Sequence, residues 1–156
     1  MLLSRLFLLL LASCIGSMVS AAAAPDAELA RKWAGTYSYH RGIDDDYMHI
    51  TIDDVTINGT TITAKGRAKY FANTYTADVD VEWIISSDTL FIEMWDVAAA
   101  NDDNDYDVSG SYRGSISRNL DKIFAIWRNW AKNDSGTLKL EAVDEFPDYQ
   151  SKSGKQ

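Results

Sequence analysis

Between residues 60 and 97, apolar and polar side chains trade places every second position, and this rhythm limits the available folds more than any other feature. Ile62, Ala64, Gly66, Ala68 and Tyr70 fall on one face, with Thr61, Thr63, Lys65, Arg67 and Lys69 on the other. After Ala72-Asn73 the pattern resumes with Tyr75, Ala77, Val79, Val81, Trp83 and Ile85 against Thr74, Thr76, Asp78, Asp80 and Glu82. Runs of this length predict half-buried antiparallel strands.

Turn chemistry then predicts a register. A two-residue turn at Ala72-Asn73 sets Tyr70 opposite Tyr75, Ala68 opposite Ala77, Gly66 opposite Val79 and Ile62 opposite Trp83, so inward residues meet inward residues. Upstream, Asn58-Gly59 carries the strongest short hairpin signal, because both residues tolerate positive φ. It sets Val55 opposite Ile62, which leaves Ile50 and Ile52 out of phase with Val55 and Ile57. One extra residue at Asp53-Asp54, a β-bulge, restores the phase and puts Ile52 opposite Ala64 and Ile50 opposite Gly66.

Residues 1–24 read as a targeting signal. Arg5 supplies the positive start, the run 6–11 begins the apolar core, and Val19-Ser20-Ala21 with the alanines after it suits signal-peptidase cleavage. Leu11-Ala12-Ser13-Cys14 offers a second reading, a lipobox whose cysteine becomes lipidated. The expected location is therefore secreted or periplasmic, with lipid anchoring to a bacterial membrane through Cys14 as the alternative. Cys14 is the single cysteine, so a chain cut within the alanine run has no disulfide or thiolate chemistry. Roughly 130 residues remain, enough for one core. A single barrel domain over residues 25–146 and a C-terminal tail over 147–156 are expected. The net charge of −8, one unit more negative once Arg5 is removed, argues against nucleic acid and against an anionic membrane surface as partners. Asn58-Gly59-Thr60 and Asn133-Asp134-Ser135 are glycosylation sequons in a eukaryotic host.

Asp26 is placed to cap a short helix or turn over 26–32. The first strand, 33 to about 41, puts Trp33, Gly35, Tyr37 and Tyr39 on one face. Aligned with Met48, Ile50 and Ile52, it brings His40 and His49 together on the opposite face. That pair reads either as a metal or pH-sensitive site or as two solvated histidines, and the solvated reading is preferred; no metal or cofactor is assigned. The segment 89–97 is apolar on both faces. A two-residue turn at Ser87-Asp88 sends Leu90, Ile92 and Met94 inward and sets Glu82 opposite Glu93. A three-residue turn buries Glu93 instead. Asp103, Asp105 and Asp107 have calcium-ligand spacing, but Val108 stands where that loop needs glycine and no glutamate closes it, so the segment reads as a solvated connection. Tyr106, Val108, Gly110, Tyr112, Gly114 and Ile116 alternate again. Asn119-Leu120 makes a turn into a strand over 123–131 with Trp127 on one face and Phe124, Ile126 and Trp130 on the other. A last strand over 137–143 turns Leu138 and Leu140 inward. Phe146, Pro147 and Tyr149 pack across an end, and 151–156 is a polar tail.

About eight strands with short turns predict an all-β fold, an antiparallel up-and-down barrel, with a β-sandwich as the alternative. Barrels of this size either fill with side chains or hold one small ligand. Ala64, Gly66, Ala68, Ala77, Gly110 and Gly114 deplete the inward face of bulk, beside Tyr37, Tyr39, Tyr75, Trp83 and Tyr112. Missing volume next to rings with polar tips describes a ligand pocket. Small residues that only make room for their neighbours' rings give the same pattern.

With a short lead-in and Gly35-Thr36-Tyr37 opening the first strand, the chain resembles the lipocalins of the calycin superfamily, which carry Gly-x-Trp there. Asp105-Tyr106 is similar to that family's second motif; Tyr37 replaces the tryptophan, Trp33 precedes the glycine, and the arginine near the last strand is absent. The resemblance implies a carrier of small apolar molecules. Two functions follow as expectations. One is a barrel that binds an apolar or aromatic ligand through Tyr37, Tyr39, Tyr75, Trp83 and Tyr112. The other is a protein-binding or inhibitor module using Phe91, Trp95 and Trp130. No catalytic residue is assigned; a general acid or base at Glu93 requires the register that buries it.

Overall fold

Eight strands, each hydrogen-bonded to the one before it, close into a barrel when the last pairs with the first. The structure is a computed structural model that describes residues 28–40, 46–71, 76–99 and 110–149. The strands are β1 (Lys32–Tyr39), β2 (Asp46–Asn58), β3 (Thr61–Phe71), β4 (Thr76–Ser86), β5 (Phe91–Ala99), β6 (Gly110–Ile116), β7 (Lys122–Asn129) and β8 (Asp134–Ala142). All pair antiparallel, and the closing seam runs from Trp33 opposite Ala142 to Tyr39 opposite Gly136. The up-and-down barrel is therefore the architecture, and the sandwich is excluded. The targeting segment, Cys14, Asp26, Tyr75 and the acidic segment 101–107 lie outside the described residues. Residues 28–31 lead into β1 without forming a helix.

The faces follow the alternation: Ile62, Ala64, Ala68, Tyr70, Ala77, Val79, Val81, Trp83 and Ile85 are all buried. The partners differ from expectation by two residues. Gly59 (φ 61) and Thr60 form the β2–β3 turn, so Asn58 pairs with Thr61, Ile57 with Ile62 and Val55 with Ala64. A glycine at the first central position with an ordinary second residue matches a type II′ turn, which displaces the pairing set by Asn58-Gly59. The bulge falls where the phase break requires, between Ile52 and Asp54, and it sets Ile52 opposite Gly66 and Ile50 opposite Ala68. The extra residue, Asp53, takes an ion pair from Arg67 at 3.2 Å. Between β3 and β4 the register puts Phe71 opposite Thr76 and Tyr70 opposite Ala77. Four residues connect them, so the two-residue Ala72-Asn73 turn is excluded.

The β4–β5 connection also takes four residues. Ser86 pairs with Phe91, and Leu90 sits in the turn at φ 55. Ile92 and Met94 point inward; Glu82 faces Trp95 and bridges to Lys65 at 2.9 Å. Glu93 is neither opposite Glu82 nor buried: it lies outward, paired with Arg113 at 2.9 Å. That position removes the basis for Glu93 as a general acid or base.

Strand direction gives the barrel two unlike ends. At one, the turns after β2, β4 and β6 meet the lead-in residues, and Leu29, Ile62, Ile85, Ile92, Ile116, Leu120 and Ile123 close the core. Leu120 reaches inward from a turn in which its φ is 54, a conformation that bulky residues rarely adopt. Ser117 holds that turn: its hydroxyl donates to Asp121 at 2.5 Å and accepts from the Asp121 and Lys122 amides at 3.1 and 3.0 Å. The other end is where polarity enters the core.

Candidate functional site

Alternation that carries Ile92 and Met94 into the barrel carries Asp96 in as well, one step further along β5. On β2 the step before Met48 is Asp46, opposite Tyr37. Both carboxylates are buried, each at 5% exposure, and among the described residues they are the two buried charged side chains. The Tyr70 hydroxyl donates to Asp96 Oδ1 at 2.9 Å and lies 2.7 Å from the Tyr112 hydroxyl, which reaches Asp96 Oδ2 at 3.5 Å. Gly110 leaves room for this group, since a Cβ there would stand 3.3 Å from Asp96 Oδ2. Hydrogen bonds of this kind are strengthened by the low dielectric around them.

A line of rings continues from the carboxylate. Tyr70 meets Tyr37 edge-on at 5.5 Å, Tyr37 meets Tyr39 at 5.9 Å, and Tyr39 meets Trp127 edge-on at 5.0 Å. The Trp127 indole N–H donates to the Ser38 carbonyl at 3.0 Å, which fixes the far ring. Beneath the Asp96–Tyr70–Tyr112 group lies a cavity of ≈ 10 Å³, room for one water, walled by Met48, Ile50, Trp83, Met94 and Leu138.

Of the expected binding residues, the structure brings together Tyr37, Tyr39 and Tyr112. Trp83 stands apart from the tyrosines, packed edge-on against Trp33 at 5.5 Å, and it reaches this end only as a wall of the cavity. The expectation missed Asp46, Asp96, Tyr70 and Trp127 as site residues. Two steps of the alternation, back from Met48 and on from Met94, point to both aspartates. Two of the small residues, Gly66 and Gly114, do not leave the volume expected of them. A Cβ on Gly66 would run into the Thr51 carbonyl, and one on Gly114 into the Phe124 carbonyl. These glycines let neighbouring backbones approach in a tightly coiled sheet.

The histidines are not a pair. His49 is opposite Ala34, whereas His40 lies beyond the far end of β1, with its Nδ1 3.4 Å from the Ser135 hydroxyl. Among the described residues no group of three metal-ligating side chains occurs. His49 instead joins an outer cluster. Phe146 stacks on it (centroids 4.5 Å, planes 9° apart), Phe71 meets it edge-on at 4.8 Å, and Tyr149 lies against Phe71 and Tyr47 at 4.9 and 5.1 Å. Burial, and then the charge of Lys69, hold the His49 pKa below its ordinary value. Residues 143–149 thus strap the outer wall of β1–β3 instead of crossing an end.

The outer wall of β5–β7 carries a different surface. Phe91 and Phe124 flank Ser115 across three strands, with Ile126 beside them; they are 43, 49 and 53% exposed. Trp130 sits in the β7–β8 turn, with the Arg128 guanidinium 4.6 Å over its ring. No family model matches the sequence, and a search of curated proteins finds no match either.

Proposed function

We propose that this barrel binds a small aromatic molecule at the tyrosine-rich end of its interior, and that its place is among the lipocalin-like carriers. One observation carries the reading: two buried carboxylates and a line of four rings, three of them buried and Tyr39 partly so, lie at one end of a barrel whose other end is sealed by aliphatic side chains. Buried polar groups are costlier than the apolar packing that could replace them, and departures of that kind concentrate where a protein has a task. The cavity beneath Asp96 gives a ligand its starting volume, beside the Tyr70 and Tyr112 rings that line it. The signal-like sequence of residues 1–24 fits an exported carrier.

A heteronuclear NMR titration with small aromatic molecules of neutral, cationic and anionic type tests the proposal. At least one should saturate and move the resonances of Tyr37, Tyr39, Tyr70, Tyr112 and Trp127. If the whole set leaves those resonances unmoved, the interior is only a core. A second reading has its own observation in the exposed Phe91, Phe124 and Ile126, an apolar face suited to a protein partner. Shifts confined to those three on adding a partner protein favour it.

A further inference from the structure

We propose that the ligand taken at this end is a small aromatic amine, bound as its ammonium ion, an inference that rests on the small-molecule reading above. Among the described residues the buried charged side chains are both aspartates. Asp96 sits where the line of rings ends, hydrogen-bonded to Tyr70 and Tyr112, and Asp46 stands opposite Tyr37 in the middle of that line. An ammonium group satisfies such a place in two ways. It donates a charge-assisted hydrogen bond to the carboxylate, and it is attracted to ring faces within about 6 Å of their centres. A neutral hydroxyl supplies a weaker hydrogen bond and no attraction to the rings, and a carboxylate ligand is repelled.

The rings serve the rest of the ligand. Spaced at 5.0 to 5.9 Å from Trp127 through Tyr39 and Tyr37 to Tyr70, edge-on or tilted to one another, they offer ring faces and edges to an aromatic body. The net charge of the chain has the same sign as the carboxylates. By sequence, the segments that join the strands at this end, 41–45, 72–75, 100–109 and 130–133, carry Asp44, Asp45, Asp102, Asp103, Asp105 and Asp107 against Arg41 and Lys132, in a chain of net charge −8. Such a field raises the local concentration of cations and turns anions away.

Calorimetric titration of the full protein with phenethylamine, 2-phenylethanol and phenylacetate at neutral pH separates the possibilities. Phenethylamine should bind at least about tenfold more tightly than 2-phenylethanol, equivalent to ~1.4 kcal/mol, and phenylacetate should give no heat of binding. In Asp96→Asn the amine and the alcohol should bind alike. The amine assignment falls if the alcohol or the acid binds the wild-type protein as well as the amine does, while the small-molecule reading survives. It falls too if Asp96→Asn and Asp46→Asn both keep the amine preference. If none of the three probes binds, the amine assignment falls, and the wider NMR titration above decides the small-molecule reading. The comparison of probes on the wild-type protein needs no variant, so it stands even if an aspartate substitution prevents folding.

Discussion

Replacing Phe146 with alanine removes the centre of the strap on the outer wall, and its effect can be worked from the geometry. The ring lies flat on His49, with the Lys32 ammonium 5.8 Å from its centre. An aromatic pair contributes about 1 kcal/mol beyond its buried area, and a half-buried phenylalanine contributes about 1 kcal/mol more from area alone. The expected loss of about 2 kcal/mol lowers the melting temperature of a domain this size by about 8 °C. Acidity adds a second signature. Because His49 titrates below its ordinary value of 6.5 when folded, the unfolded chain binds the proton more readily. The stability this group contributes is complete above pH 6.5 and is lost as pH falls from there through the lowered folded value. Without Phe146 the imidazole is better hydrated and its pKa moves back up, with Lys69 still opposing it. The gap between wild type and Phe146→Ala should therefore be widest above pH 6.5 and narrow in acid. Thermal melts followed by circular dichroism across pH 5 to 8 read both effects. Equal melting temperatures at neutral pH, or a gap that widens in acid, would refute the stacking account.

Two further substitutions probe the interior. Gly66→Ala drives a methyl into the Thr51 carbonyl and should destabilise by about 1–3 kcal/mol, although alanine ordinarily improves a strand over glycine; a urea midpoint at or above wild type would mean that β2 and β3 do not approach this closely. Tyr70→Phe removes one donor to Asp96 and the link to Tyr112, and chemical denaturation should show a loss of about 1–3 kcal/mol, whereas an unchanged midpoint would show that Tyr70 does not stabilise the buried carboxylate.

Face assignment was legible in the chain because burial imposes a period of two, and a residue such as Val79 or Trp83 has no other way to leave water. Register was less legible, because it depends on which two residues occupy a turn. Asn58-Gly59 and Gly59-Thr60 differ by one position, yet the choice moves every partner by two without changing a single face, so hydrophobic matching cannot tell them apart. The bulge at Asp53 was readable because it breaks the phase. The site was half-readable. Tyr37, Tyr39 and Tyr112 stand out as inward rings, but aspartate is so commonly a surface residue that Asp46 and Asp96 are easily assigned to solvent even where alternation turns them in. The strap could not be read at all: His49, Phe71 and Phe146 lie on outward positions, and only the path of residues 143–149 joins them.

The seam between β1 and β8 gives the barrel a particular order of assembly. Each other pair of strands is a local hairpin, but Ser38 and Thr137, whose hydroxyls meet at 2.7 Å, are 99 residues apart. Loop closure of that span is the slowest to achieve. Until β8 is available, β1 has one hydrogen-bonding edge unmet, and Tyr39 and Trp127 cannot come together. The ring cluster is thus completed by the last strand to join, and parting this seam separates β1, with Tyr37 and Tyr39, from β8.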